Sequence, residues 1–238
     1  MSEEVTIEQS EGIAWITLDR PAKANAMTVD MSRCVTEAIV RANDDERVKA
    51  IVLTAAGEKI FSAGVDVRET APDGDEAAQR ARRSASTAAL QDAVMDSGKP
   101  VVVALNGAAI GGGAMLAMLA DSCVAVQEAT LSLPEIDIGI ASFSGANIVQ
   151  TLGGRAVTAD LILTGRRMPA AEAAARGLIQ GVVPRAELRQ AAASAAARLG
   201  DKPADAFKDI KRWINGPLKA AMAEAREEHA RHRSPKKH

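Results

Sequence analysis

Residues 101–119 read VVVALNGAAIGGGAMLAML, an apolar strand, a small-residue turn, three consecutive glycines and an apolar helix. A turn that only packs a helix on a strand rarely needs three glycines, because one supplies the permissive backbone. Either the helix packs unusually tightly on the strand there, or something approaches the main chain where a side chain would block it. A second segment of the same character, IVLTAAGEKIFSAGVDV, covers residues 51–67. A glycine-rich helix N-terminus aims unpaired N–H groups and a favourable dipole at negative charge. Two such groups converging would form an oxyanion hole. A phosphate loop is excluded, since GAAIGGGAM has neither the Gly-Lys-Ser/Thr ending nor G-x-G-x-x-G spacing.

Strand and helix patterns alternate over the front of the chain. VTIEQSEGIAWITLD predicts two strands about a Glu11-Gly12 turn, and TVDMSRCVTEAIVRANDD predicts a helix capped by Thr28. AIVLTAAG and KPVVVALNG predict buried strands; between them a polar loop leads into a helix through about Asp96. SCVAVQ and ATLSLPE read as a further strand pair. From Gly145 onward the pattern is Ala-rich helix, broken at Pro169, Pro184, Pro203 and Pro217. The expectation is an α/β core over residues 1–144 and a C-terminal helical region over 145–238, the latter serving oligomerisation and site cover.

Composition removes several function classes. With a formal net charge of −2 there is no basic field to attract nucleic acid or an anionic membrane, and 2% aromatics leave no base-stacking platform. No apolar run approaches the length of a membrane span, and no signal segment opens the chain. Cys34 and Cys123 read as reduced, buried small hydrophobes, which points to the cytoplasm. His229, His232 and His238 are the only histidines and read as a solvated tail. A Ser-His-Asp triad or a His-rich metal site thus lacks its parts, and no metal is expected.

LDRPAKANAM (18–27), KIFSAGVDV (59–67), NGAAIGGGAMLAMLADSCVA (106–125) and LPEIDIGI (133–140) occur in the order and spacing of the crotonase family. In these motifs, over roughly residues 5–215, the chain resembles the enoyl-CoA hydratase/isomerase superfamily. The resemblance implies an α/β fold built as a crotonase-like spiral of ββα units with a C-terminal helical region. It implies an acyl-CoA thioester as substrate, CoA being part of that substrate and no separate cofactor being required. It also implies a homotrimer or a dimer of trimers.

Residue by residue, the resemblance places the oxyanion-hole N–H groups at Val65 and Gly112. It puts Lys23 near phosphate, the backbone of Ala24 and Ala26 along the nucleotide part of CoA, and Ala63, Asp66 and Val67 along the adenine and pantetheine path. Family hydratases commonly carry two glutamates. One position is matched by Glu135, after Pro134; the other falls on Met115, which can only form an apolar wall of the acyl pocket. One carboxylate suffices to move a double bond, taking a proton from one carbon and returning it to another. The pattern resembles the family's isomerases, with a hydratase or hydratase-lyase using Glu135 as the alternative. If LPEIDIGI is extended, Asp137 would face the same side as Glu135 as a second acid, with a solvated or structural role as the equally weighted alternative. A non-catalytic acyl-CoA binding protein is the alternative of another class. ASFSGAN (141–147) departs from the family's glycine-rich segment and would reshape the acyl pocket. The chain ends soon after EAREEHA, so an open site is expected.

Overall fold

The structure, a computed structural model, describes residues 3–71 and 74–233. Strands β1 (Val5–Ser10) and β2 (Ile13–Leu18) form the expected hairpin, paired antiparallel from Val5–Leu18 to Ser10–Ile13. Helix α1 (Val29–Asp44) follows, with Thr28 Oγ1 accepting from the Met31 N–H as its cap. The chain then repeats one theme. Each pass gives one strand to a large sheet, one to a small sheet, and then a helix: β3 (Ala50–Ala55), β4 (Ile60–Ser62), α2 (Glu76–Asp96); β5 (Val101–Leu105), β6 (Ala108–Ile110), α3 (Gly112–Leu119); β7 (Ser122–Val126), β8 (Thr130–Ser132), α4 (Phe143–Thr164). The remaining elements are β9 (Met168–Pro169), α5 (Ala170–Ala175), β10 (Gly181–Val183), α6 (Leu188–Gly200) and α7 (Ala204–Arg233). This is the α/β spiral of ββα units with helices closing the chain.

The large sheet has the order β1-β2-β3-β5-β7-β10, parallel from β2 onward. The small sheet has the order β4-β6-β8-β9. β5 and β7 are buried along their whole length, as continuous apolar runs in a parallel sheet covered on both faces must be. Two sequence expectations change. SCVAVQ and ATLSLPE are both strands, but β7 lies in the large sheet and β8 in the small one, so they do not pair. Beyond residue 145 two short strands lie among the helices: β9 pairs with β8, and β10 extends the large sheet beside β7. Pro217 does not end its helix, because α7 is held to the core on both sides of it. Lys211 Nζ reaches Asp121 at 2.6 Å, Asn215 Nδ2 donates to the Met95 carbonyl, and Lys219 pairs with Asp96. These contacts offset the hydrogen bond that proline removes. Cys34 and Cys123 are buried and form no disulfide. Among the described residues no helix is long and apolar enough to cross a membrane.

Candidate active site

The two glycine-rich segments meet. Gly64 adopts φ +84°, and a Cβ placed on it would lie 2.8 Å from the Ile110 carbonyl oxygen and 3.0 Å from the Gly112 nitrogen. Only glycine permits both the dihedral and the approach. Residues 24–27 run beside the first segment: Ala63 N–H donates to Ala24 O, Met27 N–H to Gly64 O, and Asp66 N–H to Met27 O. The last two bonds form an isolated parallel bridge between Met27 and Val65. In such a bridge Met27 bonds to the residues flanking Val65, so the Val65 N–H faces away from Met27. Gly112 is the first residue of α3, where the helix leaves its N–H unused. Among the described residues neither N–H finds an acceptor.

The three consecutive glycines serve different ends. Gly111 takes φ +54°, and a Cβ on it would lie 3.1 Å from Glu135 Oε1. Gly113 packs on Ser62, where a Cβ would fall 2.7 Å from the Ser62 carbonyl oxygen. A Cβ on Gly112 would meet only ordinary contacts, with Val65 Cγ2 at 3.6 Å the nearest. Among the described residues no atom stands close enough to require Gly112 to be bare, which leaves room beside its N–H.

Glu135 sits on a short 3₁₀ helix, Pro134–Ile138, that follows β8 and ends at Gly139. Gly111 N–H donates to Ser132 O, which ties the end of β8 to the glycine run and sets the carboxylate against it. Burial pushes the Glu135 carboxyl above the usual carboxylate range; its own N–H and the nearby Ser142 oppose the shift. The Ser142 hydroxyl makes no hydrogen bond of good geometry, and Glu135 Oε2 is buried without a partner. Asp137 corrects the expectation of a paired acid. The segment is helical rather than extended, Asp137 is exposed, and its Oδ2 turns toward Gly165. Met115, buried on the first turn of α3, points its Cε at Gly145 and accepts at Sδ from Gln91 Nε2, 3.5 Å away. Gly145 itself is pressed by Ser142, Met115 and Leu133.

Other sequence-derived positions fall around this centre. Pro134 opens the 3₁₀ helix. Lys23 and Val67 are exposed, and Ala63 is half-buried. Ala24 takes φ +55°, and its carbonyl already accepts from Ala63; the Ala26 carbonyl accepts from Arg20 Nη1 at 3.1 Å. Asp66 is turned to Arg20, with Nη1 at 2.6 Å from Oδ2. Burial pushes the Asp66 carboxyl up, but the bonds from Arg20 and the Arg68 N–H hold it below the ordinary value. His229 is not a solvated tail residue: it lies on α7, edge-on to Phe143 with ring centroids 6.3 Å apart. The His232 side chain and His238 lie outside the described residues.

Sequence reasoning passed over four supporting polar residues. Asn25 is buried and joins three segments, accepting from Arg20 N–H and donating to Ala56 O and Ile60 O. Ser62 Oγ accepts from Gly64 N–H and donates to Asn25 O. Arg20 and Gln91 complete the set. For Asn25 and Ser62 the available signal was a polar residue inside a stretch that must be buried.

The sequence matches the enoyl-CoA hydratase/isomerase family over residues 8–237. Among characterised relatives, the carnitinyl-CoA dehydratase of Salmonella enteritidis PT4 is 38% identical over 204 residues, 84% of this chain and 75% of that protein. The solved carnitinyl-CoA hydratase from Mycobacterium avium superposes with a TM-score of 0.80 at 30% identity, covering 98% of this chain and 89% of that one. The enoyl-CoA hydratase of Bacillus anthracis gives 0.83 at 26% identity, covering 98% and 92%.

Proposed function

The chain belongs to the enoyl-CoA hydratase/isomerase family, and from that premise we propose that it acts on an acyl-CoA thioester through an enolate, with Glu135 as the single acid/base. The observation that carries this reading is one partly buried carboxylate set against the glycine run, with methionine at the other family position. Removing a proton beside a thioester carbonyl moves charge onto the carbonyl oxygen. The Val65 and Gly112 N–H groups would receive that oxygen, each such donor being worth about 3 kcal/mol. Glu135 takes the C2 proton of a 3-enoyl thioester and returns it to C4, which shifts the double bond without gain or loss of atoms. CoA enters as part of the substrate, and the step needs no redox partner. Two buried cysteines outside any disulfide fit a cytoplasmic setting.

A second reading is favoured by the Salmonella relative, whose name is that of a dehydratase. There Glu135 would take the C2 proton of a 3-hydroxy thioester and hand it to the departing C3 hydroxyl, giving a 2-enoyl thioester and water. Asp137 is turned away and takes no part. Purified protein supplied with 3-enoyl-, 2-enoyl- and 3-hydroxyacyl-CoA separates the readings by product. Isomerised product dominating supports the first, and hydration or dehydration dominating supports the second. Tight binding with no turnover of any of them would overturn both in favour of a binding protein.

A further inference from the structure

Gln91 brings a buried amide from α2 to the acyl side of the site. It is 4% exposed, with Nε2 donating to Met115 Sδ and Oε1 accepting from Arg226 Nη2 at 3.2 Å. These contacts settle which way the amide points. A guanidinium has donors only, so the atom facing Arg226 is the oxygen and the NH2 group faces Met115. Arg226 is held in turn by both oxygens of Asp92, at 2.9 Å each, and by the Ala88 carbonyl at 3.3 Å. Asp92 and Ala88 lie on α2 with Gln91, and Arg226 comes from α7, so two helices aim the donor.

The donor rests on a poor partner. A thioether sulfur is a weak acceptor, and a hydroxyl or water oxygen is a much better one. Met115 follows Gly112 by three residues, about 4.5 Å along the same face of α3. An acyl chain whose carbonyl oxygen lies at the Gly112 N–H places its third and fourth carbons at about that distance. The same face of α2 also borders the other oxyanion segment, two turns earlier, where Arg83 Nη1 reaches the Asp66 carbonyl at 3.4 Å.

We propose that Gln91 selects acyl thioesters carrying an oxygen at C3 or C4, its amide N–H donating to that oxygen, with the Met115 sulfur as the resting acceptor that the oxygen displaces. The proposal rests on the second, dehydratase reading of the acyl-thioester site, because the 3-enoyl thioester of the first carries no oxygen at C3 or C4. An amide neither takes nor gives a proton here, so Gln91 orients the oxygen and leaves proton transfer to Glu135. It thereby supplies, from a different helix, the second polar group that Met115 does not.

Binding isotherms on the Glu135→Gln protein, whose turnover should be lower by about 100-fold or more, test this with butyryl-CoA and 3-hydroxybutyryl-CoA. With Gln91 present the hydroxy ester should bind about fivefold tighter, as one net hydrogen bond allows. Adding Gln91→Met keeps the side chain's length and bulk but removes the donor, and the preference should vanish. Adding Met115→Leu instead removes the resting acceptor, and the preference should widen. Equal binding of both esters with Gln91 present, an unchanged preference in the Gln91→Met protein, or an equal loss for both esters there would overturn the assignment while leaving the thioester site standing. Binding of neither ester to any of these proteins would overturn the thioester reading together with it.

Discussion

Glu135→Gln should abolish turnover and raise stability at neutral pH in the same protein. The Glu135 carboxyl is raised by burial, and its Oε2 has no partner. A folded-state pKa above the unfolded one means that the folded chain holds the proton more tightly. The stability contribution of this group is then full below the ordinary glutamate value of about 4.3, and it is lost as pH rises through the raised pKa. At neutral pH the ionised group is a liability, since a buried polar atom left unsatisfied costs about 1–3 kcal/mol. Glutamine carries no charge to desolvate. Glutamine still leaves a polar atom in that place, so only the excess cost of the charge is recovered; about 1 kcal/mol of it corresponds to a melting temperature higher by about 2–4 °C in a chain of this size. Near pH 4 (about the free glutamate value) both proteins carry a largely neutral side chain, and the difference should close. Turnover should fall by about 100- to 10,000-fold with the loss of the base. At 1.36 kcal/mol per decade this is about 3–5 kcal/mol of barrier. In the native protein kcat/KM should rise with pH through a midpoint above the ordinary carboxylate value, as the base becomes ionised. Melting curves at the two pH values and a pH–rate profile check this. Turnover within tenfold of native, or a lower melting temperature at neutral pH, would refute the reasoning.

The two helix glycines predict opposite phenotypes. Gly112→Pro removes the donor at the first helical position, where proline is tolerated; the fold should survive and turnover drop by about 100- to 1,000-fold in a steady-state assay. Gly113→Ala forces a methyl against Ser62 and should cost about 1–3 kcal/mol in denaturant unfolding. Met115→Glu should shift the product ratio from double-bond migration toward 3-hydroxyacyl-CoA, because a carboxylate on the first turn of α3 gains from the helix N-terminus and can orient water; chromatography of products checks it, with an unchanged ratio in a folded protein counting against the one-carboxylate argument. Ile210, Trp213 and Ile214 project from α7 into solvent, at 59%, 85% and 66% exposure, which favours the proposed homo-oligomer; light scattering should give a trimer or twice that mass, and a monomer at micromolar concentration would count against it.

Much of this architecture can be read from residue patterns, and the failures have physical causes. The Val101–Leu105 run has no polar residue, and only a parallel strand covered on both faces accommodates that. Thr28 caps α1 because a hydroxyl just before an apolar 3.6-residue period has one efficient use. The β9 and β10 strands, of two and three residues, are too short to show a period, and each is defined by a partner far away in sequence. Pro217 misleads because propensity is local, whereas α7 is held by ion pairs reaching Asp96 and Asp121. Within the site, Glu135 is legible through its motif, but Gln91 is not. Beside Asp92 in a polar, Ala-rich helix it looks like any surface glutamine until Arg226, 135 residues later, turns its amide.

Glycine is the least informative residue for this purpose, because its absence of a side chain does not say who needed the space. In the run from 111 to 113 the reasons separate only in three dimensions. Gly111 is required by its own dihedral and by the Glu135 carboxylate, and Gly113 by the Ser62 backbone. Either demand would exist in a protein that bound nothing. Gly112 has an ordinary steric environment and, among the described residues, an N–H with no acceptor, so neither packing nor backbone conformation there accounts for it. Its counterpart across the contact, Val65, has a side chain but presents the same kind of unused N–H, turned outward by the bridge to Met27. Two unused donors on segments that Gly64 lets approach each other, beside one partly buried carboxylate, are the arrangement on which the proposed enolate chemistry rests.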